Sequence, residues 1–542
     1  MFILLSTLWL IQETKYILFW LFLWQLKDYH IGRFVDHFRT HKGRKLILNV
    51  FLILKLILLV LFLLVGSLYI YLFYALTLVY ILEAAALLKG FLNNSIRKPK
   101  ATLKILFLLV VSFAVTVLFF MSVLRAESSL QPMLILGFDI LTSVIVSIIV
   151  LLFQPIFVSI RNNTLRKAKE KIEKIKSASG VTVIAITGSY GKTSTKELLA
   201  TILSKKYKVL KTSEHQNSEI GVANCILRDL KSTHEFFIAE VGAYNKGKVK
   251  EVCSILKPKI GIVTGINEQH LALFGSLENL LSAEGGEELA DMLPEDGMLV
   301  VNGDNKFCLD LYKRRPANLP RNKKIYSLSN KALNSDIWAN DITINKRQIS
   351  FLAVNKSGEL AHFEANVLGR QNVQNLLGAI LVAKELGMSF GEISDACEDI
   401  SQNLSGMSLK QGKYGIDIID SSYSANPDGV YADLDYFSIY SGKKVIVMPC
   451  LIELGKKSAE IHEKIGTKIG QVCDLAIITS KDKFENIKRG AIKAGMKEKN
   501  IILCDNPKNI YSLVTLSCKE GDAVLLEGRV SPELINLLTS EK

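Results

Sequence analysis

A chain of 542 residues is too long for one hydrophobic core, and its length predicts about three domains. The net charge of +14 would suit a nucleic-acid partner, but lysine and arginine concentrate in segments 27–45, 89–104 and 161–176, each beside an apolar run. No basic patch interleaved with aromatic residues follows them, which argues against nucleic-acid binding. The eight cysteines all lie from Cys225 onward without a C-x-x-C pair, which predicts reduced cysteines in a cytosolic part.

The first 160 residues carry almost all of the excess apolar composition. Four runs are long enough to cross a bilayer core as helices, namely 46–65, 68–88, 103–124 and 133–153. A tight turn at Gly66-Ser67 is expected between the first two. A fifth run, 2–26, is interrupted by polar residues 12–15 and either spans the membrane or lies in its interface. It has no basic start and no small-residue cleavage site, so it is not expected to be a signal peptide.

The basic segments predict the orientation of these helices. All three fall on the same side of the alternating runs, which the positive-inside rule makes the cytoplasmic side. Residues 1–160 are therefore predicted to form an α-helical transmembrane domain of four or five spans in the cytoplasmic membrane, with everything after Arg161 inside. Residues 161–177 predict a basic linker helix, which either lies along anionic lipid or is simply solvated.

Three ionisable residues, Lys55, Glu83 and Asp139, fall within the predicted spans. Such groups are costly in a bilayer and often functional, so one interpretation is a site for a lipid head group. The alternatives are that they pair with one another, or that Glu83 lies near an interface.

The segment AITGSYGKTSTKE, from Ala185 to Glu197, predicts a phosphate-binding loop. A buried strand, 181–187, precedes it, and an amphipathic helix, 193–203, follows it. Backbone N–H groups at such a helix start can cradle phosphates. The predicted roles are a charge for the β and γ phosphates from Lys192 and a Mg²⁺ ligand from the Thr193 hydroxyl. The loop is shorter than the common P-loop, because its glycines are only three residues apart. The residues predicted to bind ATP here are Gly188, Ser189, Tyr190, Gly191, Lys192, Thr193 and Ser194.

This loop and six later segments resemble the motifs of the Mur ligase family, which joins an amino acid or peptide to a carboxylate with ATP. The later segments, in chain order, are QNSEIGV, AEVGAYNKG, VTGINEQHLALFGSLENL, GRQNVQN, DSSYSANPD and IELG. They are similar in particular to the branch that adds D-alanyl-D-alanine. The resemblance covers residues 180 to 530, approximately.

Glu240 ends the apolar strand FFIAE beside the loop, where a carboxylate can hold Mg²⁺ directly or through water. The resemblance implies that His270 is a further metal ligand. The family commonly carries a carbamoylated lysine after the G-S-x-E segment, but this chain has Glu284 there. Either Glu284 supplies the missing anion on a shorter arm, or the second metal is lost. The implied catalytic set is Lys192, Glu240, His270 and Glu284, with Thr193, Glu240, His270 and Glu284 as metal ligands.

The resemblance also implies contacts made by the later segments. Further ATP-binding residues would be Asn372, Asn375 and Asp420, and substrate contacts would be Asn217, Glu219, Tyr423, Asn426 and Glu453. Several positions depart from the family pattern, which puts the identity of the substrate in doubt: Gly265, Gln371, Ser421, Cys450 and Met407. Met407 stands where the family has an arginine that contacts phosphate. Lys410 and Lys413 are the candidates to take over that contact.

Two α/β domains are expected after the linker. Residues 178–403 would form the P-loop-like Mur ligase central domain, with an antiparallel patch near 337–366. Residues 404–542 alternate strands and helices, which predicts a doubly wound, Rossmann-like C-terminal domain. ATP and Mg²⁺ are the implied cofactors, and ATP would lie between the two domains. The sequence does not indicate an oligomeric state.

The implied reaction is acyl-phosphate formation on a muramoyl-peptide carboxylate, followed by attack of an amine such as D-alanyl-D-alanine, in cell-wall precursor synthesis. The membrane spans occupy the place of the family's UDP-binding domain, so the acceptor is expected to be lipid-linked. The rival expectation is a soluble UDP-linked acceptor and spans that serve only as an anchor. Two other classes stay open: a transporter or regulator powered by ATP hydrolysis, and a degenerate ligase that acts as a scaffold.

Overall fold

The computed structural model divides into two compact units, Met1–Asn162 and Asn163–Lys542, which are described separately. It describes every residue except 28, 41–42, 45, 47–48, 66–68, 93–96, 215, 244, 268–273, 315–319, 321, 330–334, 403–405, 424–425, 453, 540–542 and the side chain of 456. The predicted turn at Gly66-Ser67, the predicted ligand His270 and the predicted substrate contact Glu453 lie outside the described residues.

The first unit is a bundle of apolar helices. Its helices are α1 (Phe2–Leu26), α2 (Ile31–His37), α3 (Val50–Leu64), α4 (Tyr69–Leu92), α5 (Leu103–Arg125) and α6 (Gln131–Leu152). By length and composition α1, α4, α5 and α6 can each cross a membrane, whereas α3 has only 15 residues. The predicted helices are confirmed, and their insertion in a bilayer stays a prediction.

Apolar side chains fill the interior of this bundle and also cover its outer surface. Trp9, Leu76 and Ile135 are fully buried between helices. Large apolar residues such as Val110 and Leu118 are mostly exposed on the outside of the bundle. Contiguous exposed apolar surface of this extent is typical of a lipid-facing or partner-facing protein.

Helix α7 (Gln154–Ser179) includes the predicted linker helix. Its residues Leu165, Ala168, Ile172 and Ile175 recur at helical spacing, and all four are buried in the core of the second unit. The prediction of a helix is confirmed. The interpretation that its apolar face lies on lipid is wrong for these four residues, because protein already covers them.

The first sheet of the second unit has the order β2-β3-β1-β4-β5-β6-β7-β8-β9 among the described residues. Neighbouring strands are parallel from β2 through β7, and β7, β8 and β9 are antiparallel, which confirms the predicted patch. The strands are β1 (Thr182–Thr187), β2 (Val209–Lys211), β3 (Phe236–Glu240), β4 (Ile260–Val263), β5 (Met298–Asn302), β6 (Asn322–Ser327), β7 (Ile337–Ile344), β8 (Ile349–Asn355) and β9 (Leu360–Ala365).

Helices cover both faces of this sheet, and a hydrophobic core lies on each face. The helices are α8 (Lys192–Ser204), α9 (Glu219–Asp229), α10 (Lys248–Leu256), α11 (Leu277–Ala283), α12 (Glu287–Ala290), α13 (Lys306–Lys313), α14 (Gln371–Glu385) and α15 (Phe390–Glu398). Strand β1 pairs with β3 on one side and β4 on the other, with Ile186 opposite Glu240 and Thr187 opposite Val263. The carboxyl ends of these three strands therefore meet at one edge, where ligands bind in parallel α/β sheets.

The second sheet has the order β10-β11-β15-β12-β13-β14, and only the β10–β11 pair is antiparallel. The alternation predicted for the C-terminal part is confirmed. Its strands are β10 (Ser408–Gln411), β11 (Asp417–Ser421), β12 (Lys444–Met448), β13 (Leu475–Ile478), β14 (Ile501–Leu503) and β15 (Ala523–Glu527). Its helices are α16 (Pro427–Phe437), α17 (Ser458–Val472), α18 (Phe484–Lys493), α19 (Pro507–Ser517) and α20 (Pro532–Thr539).

Candidate nucleotide-binding site

The loop after β1 is held by close backbone contacts that only glycine permits. Gly191, at the start of α8, has φ +74°, and a Cβ there would lie 2.6 Å from Asn375 Oδ1. A Cβ on Gly188 would lie 2.3 Å from Thr264 Oγ1. The first amides of α8 have no acceptor within the helix, so they are available to an anion. The short loop is thus a preformed cradle for phosphate.

Lys192 and Thr193, at the start of α8, carry the predicted phosphate and metal roles. The Lys192 ammonium folds back and donates to the Gly188 carbonyl. The Thr193 hydroxyl donates to Glu240 Oε2 at 3.0 Å. The Asn217 amide donates to the other oxygen, Glu240 Oε1, also at 3.0 Å. The fold therefore brings the Glu240 carboxylate to the start of α8, although Glu240 lies 48 positions after Lys192 in the sequence.

Glu284 contacts the loop at Ser189. It lies at the end of α11, its exposed fraction is 1%, and it accepts a hydrogen bond from the Ser189 hydroxyl at 3.0 Å. The hydroxyl and carboxylate oxygens around the loop are the ligand types that Mg²⁺ prefers, with phosphate and water completing its shell. Among the described residues no three His, Cys, Asp or Glu side chains form a ready-made metal cluster.

Lys196 is a site residue that the sequence analysis missed. It is fully buried, and its ammonium lies 3.1 Å from Glu197 Oε1 and 3.5 Å from Glu240 Oε2. Lys196 therefore lies where it can orient the Glu240 carboxylate. The available signal was a lysine one helical turn after Lys192, on the face of α8 that carries Leu199 and Leu203.

The predicted ATP-binding amides Asn372 and Asn375 are buried in α14. Thr195 donates to Asn375 Oδ1 at 3.4 Å, and the Asn375 amide donates to Asn372 Oδ1 at 3.0 Å. Asn372 in turn donates to the Leu368 carbonyl at 2.8 Å. These bonds tie α8 to α14 and hold the loop in place. Direct contact of the two amides with ATP stays a prediction.

Two predicted substrate residues of the C-terminal domain lie beside the loop. The Tyr423 hydroxyl hydrogen-bonds with Thr193, and its pKa is raised by burial and by the Glu240 charge. Asn426 accepts a hydrogen bond from the Asn267 amide at 2.9 Å, and the Asn267 carbonyl oxygen lies 3.4 Å from the Ser189 hydroxyl oxygen. The two α/β domains therefore meet at the loop, as expected of a site between them.

Other predicted residues have partners away from the loop. Glu219 pairs with Lys248 at 3.1 Å. Asp420 pairs with Lys410 at 2.5 Å; burial acts to raise the pKa of Asp420, but hydrogen bonds from Lys410 and Ser422 outweigh it and lower that pKa. Lys413, the other candidate for the arginine role, lies over the Tyr511 ring at 5.3 Å.

Two departures from the family pattern contact the same buried carboxylate. Gln371 donates to Asp433 Oδ1 at 3.0 Å, and Ser421 donates to Asp433 Oδ2. Glu527, at the end of β15, is buried and faces Asp433. Burial and the neighbouring carboxylate raise the pKa of Glu527 well above its usual range, and burial raises the pKa of Asp433. Asp433 and Glu527 are therefore a buried acid pair whose titrations are coupled.

The remaining departures have packing explanations. A Cβ on Gly265 would lie 2.2 Å from the Tyr190 ring, so an asparagine cannot stand there in this arrangement. Cys450 is buried, and its thiol donates to the Ser480 carbonyl at 3.4 Å. Met407 is buried in the core of the C-terminal domain.

Comparison with known proteins matches two domains of one family. Residues 186–383 match the Mur ligase middle domain, and residues 407–530 match the Mur ligase glutamate ligase domain. The UDP-N-acetylmuramoyl-tripeptide–D-alanyl-D-alanine ligase of Escherichia coli is 29% identical over 291 residues, which are 52% of this chain and 61% of that protein. The Bacillus subtilis enzyme of the same name is 26% identical over 375 residues, 68% of this chain and 77% of that protein.

Solved structures show the same fold. MurF from Acinetobacter baumannii superposes with a TM-score of 0.61 at 22% identity, covering 70% of this chain and 80% of that one. MurF from Thermotoga maritima in complex with ADP gives 0.60 at 24% identity, covering 70% and 83%. The chain spans less than two thirds of the length of the E. coli relative. The two domain matches together take in more than half of the chain, which confirms the resemblance: this chain belongs to the Mur ligase family.

Proposed function

We propose that this chain is an ATP- and Mg²⁺-dependent ligase that adds D-alanyl-D-alanine to the carboxylate of a muramoyl tripeptide in peptidoglycan synthesis. The observation that carries the proposal is the phosphate loop with its Thr193–Glu240 contact at 3.0 Å, on a chain of this family. The E. coli and B. subtilis relatives are named for that reaction, and the Thermotoga relative was solved with ADP.

The loop residues perform the first step. The α8 amides and Lys192 bind the β and γ phosphates and reduce the repulsion that an attacking carboxylate meets. The acceptor carboxylate oxygen attacks the γ phosphorus, the bond to the β-phosphate oxygen breaks, and ADP leaves. The amine then attacks the acyl carbon, phosphate leaves, and the amine nitrogen loses a proton to give the amide. Most of the rate enhancement comes from holding the reactants in line.

Mg²⁺ would be held by Thr193 and Glu240, with His270 as a further proposed ligand, and it supplies charge neutralisation on the phosphates. We assign Glu284 the anionic role that a carbamoylated lysine has in the family. The support is its hydrogen bond from Ser189 of the loop, which brings a carboxylate to the loop without any modification by CO₂. Lys196 and Asn217 are positioning residues that orient the Glu240 carboxylate.

The acceptor is proposed to be lipid-linked and presented at the cytoplasmic face of the membrane. Support comes from the four helices of spanning length that precede the ligase domains, and from family matches that begin only at residue 186. On this proposal the first unit is integral to the cytoplasmic membrane and the ligase domains are cytoplasmic. The competing acceptor is the soluble UDP-muramoyl tripeptide, for which the first unit would be an anchor.

The test uses the full chain in detergent with ATP, Mg²⁺ and D-alanyl-D-alanine. UDP-muramoyl tripeptide and its lipid-linked form are offered separately, and ADP release and product mass are read together. A dipeptide mass gain on either acceptor supports the ligase, and a gain on the lipid-linked form alone supports the proposed acceptor. ADP release without a mass gain on either acceptor would refute the proposed reaction and favour the ATP-driven transporter.

A further inference from the structure

A cluster of polar side chains lies in the middle of the apolar first unit. Glu13 of α1, Lys55 of α3, Glu83 of α4 and Asp139 of α6 each stand near the midpoint of their helix. All four are buried within the bundle. In a membrane these positions are far from both interfaces, where an ionisable group is least tolerated. An anchor needs none of them.

Lys55 is the centre of the cluster and already has two partners. Its ammonium lies 2.7 Å from Glu83 Oε2 and 2.5 Å from Asp139 Oδ2. The Tyr16 hydroxyl donates to Glu83 Oε1 at 3.0 Å. Lys55 is therefore already neutralised by two carboxylates, and these carboxylates would repel a phosphate. The interpretation of these residues as a site for an anionic lipid head group does not fit this geometry.

The polar cluster contains more carboxyl groups than cations. The cluster has three carboxyl groups, on Glu13, Glu83 and Asp139, and one buried ammonium. Lys15 of α1 is only partly buried, and even if it is counted, one negative charge remains in excess. The other groups that face the cluster, Tyr16 and Tyr80, are phenols, and from α5 the buried polar residues are hydroxyls that donate to their own helix. Neutrality in a low-dielectric interior requires a bound proton or another small cation.

The hydrogen bonds of Glu13 indicate where that proton lies. Thr142 Oγ1 is 2.9 Å from Glu13 Oε1, 2.8 Å from Glu13 Oε2 and 3.1 Å from the Phe138 carbonyl. A threonine hydroxyl has one hydrogen and cannot donate to all three oxygens. If Glu13 carries a proton, it donates to Thr142, and Thr142 donates to Phe138. Every group then has a partner.

Two further buried polar groups, Gln12 and Tyr80, point into the cluster. Gln12, with an exposed fraction of 2%, has its amide beside the Tyr16 hydroxyl. The Tyr80 hydroxyl, fully buried, faces Asp139. A buried amide and a buried phenol next to the carboxyl groups supply the donors and acceptors along which a proton moves.

We propose that the first unit contains a proton-binding site, in which Glu13 holds the proton and exchanges it through Gln12 and the Lys55–Glu83–Asp139 group. A proton fits better than a metal ion, because the Lys55 ammonium occupies the centre of the carboxylates. Among the described residues no group of three metal-binding side chains is present either. The proposal gives the membrane unit a chemical role of its own, independent of the ligase reaction.

The test is infrared difference spectroscopy of the full chain in vesicles of phosphatidylethanolamine and phosphatidylglycerol. The carbonyl-stretch band of protonated carboxylic acids is followed as the pH is changed, in H₂O and D₂O. Wild type is expected to show a titrating band that shifts in D₂O, and Glu13→Gln is expected to lose it. Subtracting the variant spectrum from wild type removes the contribution of the Asp433–Glu527 pair, which both proteins share.

Two further variants keep the result decisive. Glu127→Gln changes an exposed glutamate between α5 and α6 and is expected to leave the band unchanged. Thr142→Val keeps every charge and is expected to shift the band, because Glu13 loses its hydrogen-bond acceptor. If Glu13→Gln retains the wild-type band, or if Thr142→Val leaves the band in place, the proposed proton site is refuted.

Discussion

The phosphate loop and the end of β11 lie close together but have changed very differently from the family pattern. Around the loop, Lys192, Thr193 and Glu240 are the family's residues, and each has a polar partner. Ser421 at the end of β11 and Gln371 at the start of α14 depart from the family motifs, and both donate to the buried Asp433. The difference suggests a simple rule: the motif residues that would handle phosphate are unchanged, and the departures concentrate on the side of the C-terminal domain. Variants of each region should therefore fail in different ways.

The largest effect is expected from Lys192→Ala. It removes the cation that lies across the loop, and ADP formation should fall by about 10²–10³-fold, the usual cost of losing one such electrostatic contact. The measurement is kcat/KM for ATP with the acceptor and amine saturating. Lys205→Ala is the matched control, since Lys205 pairs with Asp399 on the surface at the other end of α8. Equal losses in the two variants would show that the effect is not specific to the loop.

The next effect is expected from Lys196→Met, which keeps the length of the buried side chain and removes its charge. Glu240 loses an oriented cation, so the Mg²⁺ concentration for half-maximal activity should rise about 10–100-fold, as for other residues that orient metal ligands. The readout is Mg²⁺ dependence at saturating ATP, together with a thermal midpoint to exclude unfolding. A fall in maximal rate with unchanged Mg²⁺ dependence would contradict the positioning role.

Variants of Glu284 test whether this residue replaces the carbamoylated lysine of the family. Wild-type activity should be the same in CO₂-depleted and bicarbonate-supplemented buffer, because the anion is encoded. Glu284→Lys should be about 10²-fold less active, with partial recovery on adding bicarbonate. Glu278→Gln, an exposed residue of the same helix, is the control for general damage to α11. Activity of wild type that depends on CO₂ would refute the assignment.

The smallest expected effect is a change in stability when Glu527, of the buried Asp433–Glu527 acid pair, is replaced. The pKa of Glu527 is raised in the folded protein, so its contribution is fully present below its unfolded pKa and is lost as pH rises through the raised value. The contribution of Glu527 to the wild-type thermal midpoint should therefore have a negative slope between acid and neutral pH. Glu527→Gln should reduce that slope and be more stable near pH 8 by about 1–3 kcal/mol. A parallel pH profile in the two proteins would mean that Glu527 does not retain a proton.

Much of the fold was predictable because its signals are local. Apolar runs marked the helices of the first unit, and alternation of strand and helix marked the C-terminal domain. The loop was predictable because glycines, lysine and threonine are consecutive. Glu284 was found by its place after a motif, and its contact with Ser189 agrees with the role expected of it.

Contacts between distant segments were not predictable from the sequence. Asp433 lies on a helix and Glu527 at a strand end, and nothing in either neighbourhood indicates the pairing. The lipid interpretation of α7 was wrong because an amphipathic pattern does not say whether protein or lipid covers the apolar face, and here Leu165 and Ile172 pack into a protein core. The sequence did indicate that Lys55, Glu83 and Asp139 either pair or act, and the pairing alternative is the one observed.

The central claim is that this chain transfers the γ-phosphoryl group of ATP to a carboxylate, and that the acyl phosphate then releases inorganic phosphate as the amine forms the amide. The most direct measurement uses an acceptor whose carboxylate oxygens are isotopically heavy, with the full chain, ATP, Mg²⁺ and D-alanyl-D-alanine. The account predicts that one heavy oxygen appears in each inorganic phosphate released, in step with the amide product. Phosphate that carries no heavy oxygen would mean that water, and not the acceptor, attacks ATP, and would contradict the ligase.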